Sequence, residues 1–258
     1  MKFLDSLLKG FGRDTAPKGK AGARAYAVGD IHGRLDLLEA LLARIEADIA
    51  AREPRRNFIV FLGDLIDRGA ESAGVVERLR TYRPRHARPV FLGGNHEEVL
   101  LQILGGDAAI IADWMKFGGA ECAASYGVDV DRLRRMEESE ALELLRGAVP
   151  RAHVDFIASF GDTFSFGDYV FVHAGIRPGV ALEAQDRRDL RWIREPFLSD
   201  AKEHGFMVVH GHTIVDEAEE RPNRIGIDTG AYRSNILTAL AVEDDRRWYL
   251  STASAPAG

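Results

Sequence analysis

Short apolar segments in this sequence end repeatedly in residues that can bind cations or carry protons. In VFLGGNHEE, residues 90–98, an apolar run leads into Asn95, His96 and Glu97. Five other segments share this design: AYAVGDIHG (25–33), FIVFLGDLIDRG (58–69), YVFVHAG (169–175), FMVVHGH (206–212) and RIGIDTG (224–230). Together the six segments supply Asp30, His32, Asp64, Asp67, Arg68, Asn95, His96, His173, His210, His212 and Asp228.

These residue types predict a metal centre if the segments converge. One histidine or aspartate at the end of a strand is usually a satisfied hydrogen-bonding residue. Several carboxylates and imidazoles gathered at one point repel each other or must be neutralised, and a divalent cation does this. Carboxylate, amide and imidazole ligands suit manganese, iron or zinc. The set lacks the thiolates of zinc fingers and iron–sulfur clusters, and it exceeds the ligands of a single-iron oxygenase, so we expect two metals.

The elements that would position these residues form an α/β pattern. Continuous apolar runs of this length predict strands buried on both faces, and α/β sheets bind ligands at the carboxyl ends of such strands. Residues 35–51 and 72–82 have helical periodicity, so the first three strands should pair in parallel. The segments 164–173 and 237–250 predict hairpins, whereas residues 98–160 predict a helical insertion. A mixed α/β sandwich fits better than a purely parallel sheet.

The motifs GDIHG, GDLIDRG, GNHE, VHAG and HGHT occur in an order that resembles the calcineurin-like metallophosphoesterases, in particular the phosphoprotein phosphatase branch. The resemblance runs from about residue 24 to residue 250. Residues 114–127 and 189–198 further resemble the bacterial and lambda-phage type of serine/threonine protein phosphatase. The resemblance implies a four-layer sandwich, an α+β arrangement of two mixed β-sheets flanked by helices.

The resemblance also implies a role for each matching residue. Six would bind two divalent ions, most simply Mn²⁺, with Fe or Zn as alternatives, and Asp64 would bridge both ions. The six are Asp30, His32, Asp64, Asn95, His173 and His212. His210 falls where the family places no ligand, so we interpret it as a supporting or packed residue with a lesser prospect of touching metal.

Four further residues would act on the phosphate ester. Arg68 and Arg194 match the phosphate-binding arginines, since a guanidinium fits phosphate oxygens in pairs. His96 matches the general acid and Asp67 the carboxylate that orients it. A metal-bridging hydroxide would then attack phosphorus in line, without a covalent intermediate. Asp228 and Tyr232 lie near the site by resemblance only, and Glu97 is expected to begin the following helix.

Several substrate classes stay open at this point. Phosphorylated proteins lead, with serine and threonine esters first and dual specificity as an option. A symmetrical diadenosine tetraphosphatase is the nearest alternative. Asp67 and Glu97 argue against it, because those hydrolases usually carry a small residue and an aspartate there. A phosphatase of broad specificity for small phosphate esters is a further alternative, and a non-catalytic metal-binding scaffold is the most remote.

Composition sets the remaining expectations. The 258 residues carry a formal charge of −6 without a long basic run, so we expect no nucleic-acid partner. No apolar run reaches the length of a membrane span, so no integral membrane association is expected. Cys122 is the single cysteine and suits a reducing, cytoplasmic compartment. It is expected to be a packed residue.

The domain organisation follows from these segments. Residues 1–22 are expected to form a tail and linker, 23–250 one catalytic domain that includes the insertion, and 251–258 a second tail. The stretch FLDSLLKGF, residues 3–11, has helical spacing of its apolar residues. It suits either a loosely packed terminus or, less well, a surface-binding amphipathic helix.

Overall fold

Two five-stranded sheets form the centre of the protein. A computed structural model of the chain describes residues 16–253. The strands are β1 Ala23–Val28, β2 Arg56–Phe61, β3 Ala87–Phe91, β4 Thr163–Phe166, β5 Tyr169–Val172, β6 Met207–His210, β7 Glu219–Glu220, β8 Arg224–Gly226, β9 Thr238–Glu243 and β10 Arg246–Ser251. The first sheet has the order β10-β9-β1-β2-β3 and the second β4-β5-β6-β8-β7. Each sheet contains both parallel and antiparallel pairs, which confirms the mixed α/β architecture.

The helices flank these sheets and connect the parallel strands. They are α1 Leu35–Ala50, α2 Ser72–Arg80, α3 Asn95–Gly105, α4 Ile111–Trp114, α5 Ala120–Ser125, α6 Val130–Leu133, α7 Glu138–Ala148, α8 Arg151–Ala158, α9 Arg187–Trp192 and α10 Ala231–Ser234. Short 3-10 turns cover Ala108–Ile110 and Leu182–Ala184, and a wide π-type turn covers Met115–Gly119. None of the helices described between residues 16 and 253 has the length and apolarity to cross a bilayer.

Parallel pairing in the first sheet brings three predicted site segments to one edge. β1 pairs with β2, and β2 with β3, both in parallel, because α1 and α2 return the chain to the opposite edge each time. The apolar stripe of α1 is buried as its spacing predicts, with Leu38, Leu41 and Ile45 fully covered. The carboxyl ends of β1, β2 and β3 therefore open at the same place.

The second sheet contains the predicted hairpin. β4 and β5 are antiparallel and turn at Gly167, whose φ of 64° favours glycine, and Asp168. β5 and β6 are parallel, so His173 and His212 also follow strand ends at one edge. The other predicted hairpin, β9–β10, turns at Asp244 and Asp245 and completes the first sheet.

Three apolar clusters separate the four layers. The helices α1, α2, α3, α7 and α8 cover the outer face of the first sheet. Side chains of both sheets, such as Val60 and Phe171, meet in the middle layer. The α9 segment covers the outer face of the second sheet through Leu190, Ile193 and Phe197. This layering positions the two sets of carboxyl ends against each other.

The segment between β3 and β4 is helical, and Cys122 is fully buried within it. The described part of the predicted N-terminal tail is held by both hairpins. Asp168 donates its backbone N–H to the carbonyl of Lys18, and Gly19 donates to the carbonyl of Asp244 at 2.6 Å. The amphipathic stretch 3–11 and residues 254–258 lie outside the described residues.

Candidate active site

The predicted site residues converge at the carboxyl ends of five strands. Asp30 follows β1, Asp64 follows β2, Asn95 follows β3, His173 follows β5 and His212 follows β6. Glycines allow this close approach. A Cβ on Gly94 would overlap the carboxylate of Asp64, and one on Gly211 would overlap that of Asp30. Only a residue without a side chain fits at these two positions, and this steric limit explains why both are glycine.

Asp64 lies between two groups of possible metal ligands. One group is His32, Asp64 and His96, and the other is Asp64, His173 and His212, with ligand atoms in each group within 4.8 Å of one another. Asp64 Oδ2 is 3.5 Å from His32 Nε2, and Asp64 Oδ1 is 3.4 Å from His173 Nε2. The two carboxylate oxygens thus face different imidazoles, which is the arrangement that a bridging ligand needs.

Asp30 and Asn95 lie beside these groups. Asp30 Oδ2 accepts the backbone N–H of His212 at 3.0 Å, whereas Asp30 Oδ1 is buried without a hydrogen-bond partner within residues 16–253. Asn95 Oδ1 lies 3.0 Å from His173 Nε2. His212 Nε2 is also buried and unpartnered in the described structure. Buried polar atoms without partners are costly, and a bound cation would satisfy both.

Burial keeps the candidate imidazole ligands neutral. It lowers the pKa of His32 and of His212 to about 3, and it lowers the pKa of His173 as well. Burial raises the pKa of Asp64, but positive charge on the surrounding imidazole rings, first that of His173, outweighs burial and lowers it. A bound cation would supply that positive charge in place of the imidazole protons, which leaves the imidazoles neutral as metal ligands must be. The donor set therefore fits divalent cations.

The backbone at the site is unusually strained. Of the seven non-glycine residues with positive φ within residues 16–253, five lie at the site, namely His32 (47°), Asp64 (49°), Asp67 (71°), Arg68 (67°) and His212 (61°). Residues in this region cost about 1 kcal/mol or more each unless the surroundings enforce the conformation. The strain coincides with the predicted ligands and supports a functional interpretation of these positions.

Glu97 enforces part of this conformation. It lies in the first turn of α3, as predicted, but its carboxylate also crosses to the loop after β2. Glu97 Oε2 accepts the backbone N–H groups of Asp64 (2.8 Å) and Gly94 (2.9 Å), and Oε1 accepts that of Leu65 (2.8 Å). Burial, with Asp64 nearby, raises the pKa of Glu97 to about 7. Glu97 thus joins the loops that carry Asp64 and Asn95.

His96 is held by a carboxylate and an indole. Its Nδ1 lies 2.6 Å from Asp67 Oδ2, which also accepts the Nε1–H of Trp114 at 3.0 Å. Burial disfavours the charged imidazole, but Asp64 and Asp67 outweigh burial and raise the pKa of His96. His96 Nε2 faces the Arg68 guanidinium at 3.3 Å. Among the site histidines described above, His96 is the one favoured to carry a proton.

Arg68 is fixed from two sides. Its backbone N–H donates to the carbonyl of Gly118 at 3.0 Å, and its guanidinium lies 4.8 Å from the centre of the Tyr232 ring. Gly118 has a φ of 107°, and a Cβ there would collide with the Arg68 backbone. Tyr232 also packs edge-on against His32, with ring centres 5.4 Å apart. The wide turn before α5 therefore supports the position of Arg68.

A cleft of about 580 Å³ opens above these residues. Arg68, Asn95, His96, Arg194 and His212 line its floor and side. Its rim is apolar and includes Phe117 and Trp192, which are 67% and 39% exposed. Arg194 is exposed and borders the cleft, as its predicted role requires. An anionic group entering the cleft would meet two guanidinium groups beside the candidate ligands.

Two predicted neighbours lie outside the ligand groups. His210 Nδ1 donates to the carbonyl of Gly211 at 3.0 Å, and the ring packs against Phe197 with centres 5.1 Å apart. Its burial lowers its pKa to about 4. Asp228 accepts the backbone N–H of Gly230 at 2.9 Å, and burial raises its pKa to about 6.

Some supporting residues were not identified from the sequence. Trp114, Gly118 and the rim aromatics belong to the helical segment or to α9, where single residues carry no strand-end signal. Trp114 and Phe117 stand in a stretch whose sequence indicates the family without indicating a role for either residue. The sequence also gives no role to Tyr232, although it contacts both Arg68 and His32.

Comparisons with known proteins agree with this geometry. Residues 23–237 match the family described as calcineurin-like phosphoesterase. The serine/threonine-protein phosphatase 2 of Salmonella typhimurium is 28% identical over 84% of this chain and 92% of its own length. The asymmetrical bis(5'-nucleosyl)-tetraphosphatase PrpE of Oceanobacillus iheyensis is 26% identical over 88% and 91%. A crystal structure of a candidate diadenosine tetraphosphatase superimposes with a TM-score of 0.63 at 19% identity, covering 93% of this chain and all of the other.

Proposed function

We propose that this chain, which belongs to the calcineurin-like phosphoesterase family and is a metal-dependent phosphatase, removes phosphate from phosphoserine and phosphothreonine in proteins. The observation that carries the proposal is the placement of His96, whose Nδ1 lies 2.6 Å from Asp67 Oδ2 and whose Nε2 lies 3.8 Å from Oδ2 of Asp64, the residue that both ligand groups share. Its Nε2 faces the same cleft as Arg68 and Arg194. This arrangement suits a phosphate ester with a leaving oxygen that needs a proton.

The proposed metal ligands form two overlapping sets. Asp30, His32 and Asp64 would hold one cation, whereas Asp64, Asn95, His173 and His212 would hold the other. When bound, two such cations supply an activated water near neutral pH and offset the charge of the phosphate. Manganese is the proposed metal, because carboxylate, amide and imidazole ligands suit it.

The arginines bind and orient the phosphate in this proposal. Arg68 and Arg194 donate charge-assisted hydrogen bonds to its non-bridging oxygens, and these bonds strengthen as negative charge accumulates in the transition state. Because Gly118 and Tyr232 fix Arg68, little reorganisation is needed at that side. Arg194 is exposed, so it can adjust to the substrate as the ester enters.

His96 protonates the leaving oxygen. Its Nδ1–H donates to Asp67, which sets the tautomer and orients Nε2 toward the cleft. The hydrogen bond from Trp114 to the same Asp67 oxygen holds that carboxylate in place. Asp64 and Asp67 raise the pKa of His96, and this direction favours the protonated imidazole that a general acid needs.

A dinucleoside tetraphosphate is the second candidate substrate. Two observations favour it: the relative named asymmetrical bis(5'-nucleosyl)-tetraphosphatase matches nearly the whole chain, and exposed Phe117 and Trp192 could stack on a base. A shorter match, over 59% of this chain, is to a symmetrical bis(5'-nucleosyl)-tetraphosphatase of Dechloromonas aromatica. Small phosphate esters would fit the same floor without using the aromatic rim.

A substrate panel distinguishes these candidates. The enzyme, supplied with Mn²⁺, is assayed in parallel on phosphoserine and phosphothreonine peptides, p-nitrophenyl phosphate and diadenosine tetraphosphate. We expect kcat/KM to be highest for the phosphopeptides and activity to vanish on chelation. A kcat/KM for diadenosine tetraphosphate at least about 10-fold above that for every phosphopeptide would replace the protein-phosphatase assignment with the second candidate.

We also propose a cytoplasmic location, because Cys122 is the single cysteine of the sequence and suits a reducing compartment.

A further inference from the structure

A second charged cleft lies at the opposite end of the first sheet. It has a volume of about 630 Å³ and is formed where α1 ends and where β2 and β3 begin. Five arginines line it: Arg52, Arg55, Arg56, Arg85 and Arg88. No carboxylate side chain is among the described residues that line it. In a chain with a net charge of −6, such a concentration of cations is unexpected.

Two of these arginines are already neutralised. Arg52 pairs with Asp48 at 2.8 Å and covers the Trp248 ring, and Arg55 pairs with Asp244 at 2.9 Å. Their guanidinium groups already have acidic partners within the fold and are therefore less available to a ligand.

The other three have no acidic partner. Arg56, Arg85 and Arg88 are exposed and make no side-chain hydrogen bond or ion pair within residues 16–253. Phe58 pairs with Arg88 across β2 and β3, so Arg56, two residues before Phe58, shares a face with Arg88. Residues placed diagonally across two strands are about 7–8 Å apart, and long side chains of like charge still repel at that separation. The repulsion within the cluster therefore opposes folding slightly, and a bound anion would neutralise it.

We propose that this basic cleft binds a soluble anion that carries several clustered phosphoryl groups. Each free guanidinium can donate two parallel hydrogen bonds to a tetrahedral anion, so three of them match a compact, multiply charged ligand. Arginine is the main cation throughout this sequence, so the residue type is no signal by itself. The feature that indicates anion binding is that no carboxylate side chain lines the described cleft wall.

The wall of the cleft disfavours a peptide. Its described hydrogen-bonding side chains other than arginine are Asn57 and His86, and both ends of the Asn57 amide are occupied. Its Oδ1 accepts from Arg24 at 3.2 Å, and its Nδ2 donates to the carbonyl of His86 at 2.9 Å. The arginines outnumber these two side chains, so most of the binding should come from charge density.

Nucleic acid is also disfavoured. Single strands bind on exposed aromatic platforms, and no Phe, Tyr or Trp lines the described cleft. The net charge of −6 further repels a long polyanion that extends beyond the cleft.

The cleft is separate from the candidate active site. β2 contains six residues and extends roughly 20 Å at about 3.3 Å per residue, with Arg56 at one end and Asp64 beyond the other. A small ligand in the basic cleft cannot reach the cleft above Asp64. The proposal goes beyond the proposed function and does not depend on which ester is hydrolysed.

Titration calorimetry with inositol hexasulfate tests the proposal. This probe carries clustered tetrahedral anions but is no phosphate ester, so the holoenzyme cannot turn it over. Arg56→Ser/Arg85→Ser/Arg88→Ser should weaken binding at least about 10-fold, and added salt should weaken binding to the wild type. Arg56→Lys/Arg85→Lys/Arg88→Lys should bind more tightly than the serine variant and more weakly than the wild type, because it keeps the charge and loses the paired guanidinium hydrogen bonds.

A matched control removes the same charge elsewhere. Arg132, Arg135 and Arg188 are exposed and outside the cleft, and the triple serine variant at these positions should bind the probe within about 2-fold of wild type. The triple serine variant of the cleft and the triple serine control should both keep the wild-type kcat/KM for p-nitrophenyl phosphate, which shows that both are folded.

Four results would overturn the proposal. The first is no binding of the probe by the wild type, and the second is equal weakening in the control variant. The third is loss of binding in Arg68→Ala while the cleft variant still binds. The fourth is binding of a hexa-aspartate peptide or an oligothymidylate to the cleft as tightly as the probe. The third result would place the anion in the active site. The fourth would change the ligand class.

Discussion

The two ends of β1, β2 and β3 carry charge in opposite ways. At the carboxyl ends, buried carboxylates and imidazoles are interlocked through Asp64, and the backbone is strained around them. At the amino ends of β2 and β3, the charged side chains that line the cleft are all arginines, and three of them are exposed and lack an acidic partner in the described structure. The same strands therefore present one site built for metals and one surface built of cations.

Burial explains why the two ends should respond differently to change. Two unit charges 4 Å apart interact by about 1 kcal/mol in water but by about 4 kcal/mol at the effective dielectric constant of about 20 that best describes buried protein sites. Removing one buried charge also leaves its neighbours uncompensated. Single substitutions at the carboxyl ends should thus have large effects, whereas those at the amino ends should have small ones.

Asp64→Asn should give the largest effect. An amide carries no charge and bridges two cations poorly, so metal content should fall and kcat/KM should drop by about 10³-fold or more, since metals contribute several kcal/mol to such reactions. The circular dichroism spectrum should stay that of a folded protein. Metal analysis that finds two ions per chain at full occupancy in this variant would refute the bridging assignment.

A histidine pair provides the matched control for metal binding. His210 and His212 are both buried and two residues apart, but His212 alone belongs to a ligand group. His212→Ala should lose far more metal than His210→Ala. The opposite ranking would exchange the two assignments.

The two arginines proposed to bind phosphate should give the next largest effect. Arg68→Ala and Arg194→Ala should each lower kcat/KM by about 10²-fold, as loss of a transition-state donor does, while the metals stay bound. Arg188, an exposed arginine of α9, is the control, and its alanine variant should keep the wild-type kcat/KM. A silent Arg194→Ala would show that another cation serves at that side.

A single substitution in the basic cleft should give the smallest effect. Arg88 is exposed without a partner, so Arg88→Ser should change the free energy of unfolding by less than about 0.5 kcal/mol and leave kcat/KM unchanged. Urea denaturation and steady-state kinetics measure both quantities. A destabilisation above about 1 kcal/mol would mean that this arginine supports the fold, contrary to the comparison.

The elements and their convergence could be predicted because local patterns determine them. The apolar runs predicted the main strands, and the spacing of Leu38, Leu41 and Ile45 predicted the buried face of α1. The alternation of strands and helices predicted parallel pairing, which puts Asp64 and Asn95 at one edge. These signals lie within single segments of the chain.

The supporting contacts could not be predicted because they join distant segments. Trp114 reaches Asp67 across 47 residues, and Glu97 reaches Asp64 across 33. The basic cleft combines residues 52–56 with residues 85–88, and neither segment alone forms a long basic run. The cluster could not be predicted from the net charge, because it forms only when the pairing of β2 with β3 brings these two segments together.

The account depends most on His96 as the acid that protonates the leaving oxygen. A serine alkoxide is a poor leaving group and needs that proton, whereas a nitrophenolate leaves without much help. General acid catalysis is worth about 10²–10⁴-fold. His96→Asn should therefore slow phosphoserine peptide hydrolysis far more than p-nitrophenyl phosphate hydrolysis, with both metals retained.

The direct measurement is the ratio of kcat/KM for these two substrates in wild type and His96→Asn, under conditions where the chemical step limits the rate. Asp67→Asn should change the ratio in the same direction but less, since Asp67 acts through His96. A ratio that falls about 10-fold or more in His96→Asn, for the peptide relative to the nitrophenyl ester, is the predicted result. An unchanged ratio, with both reactions slowed equally, would contradict the assignment of His96 as the acid.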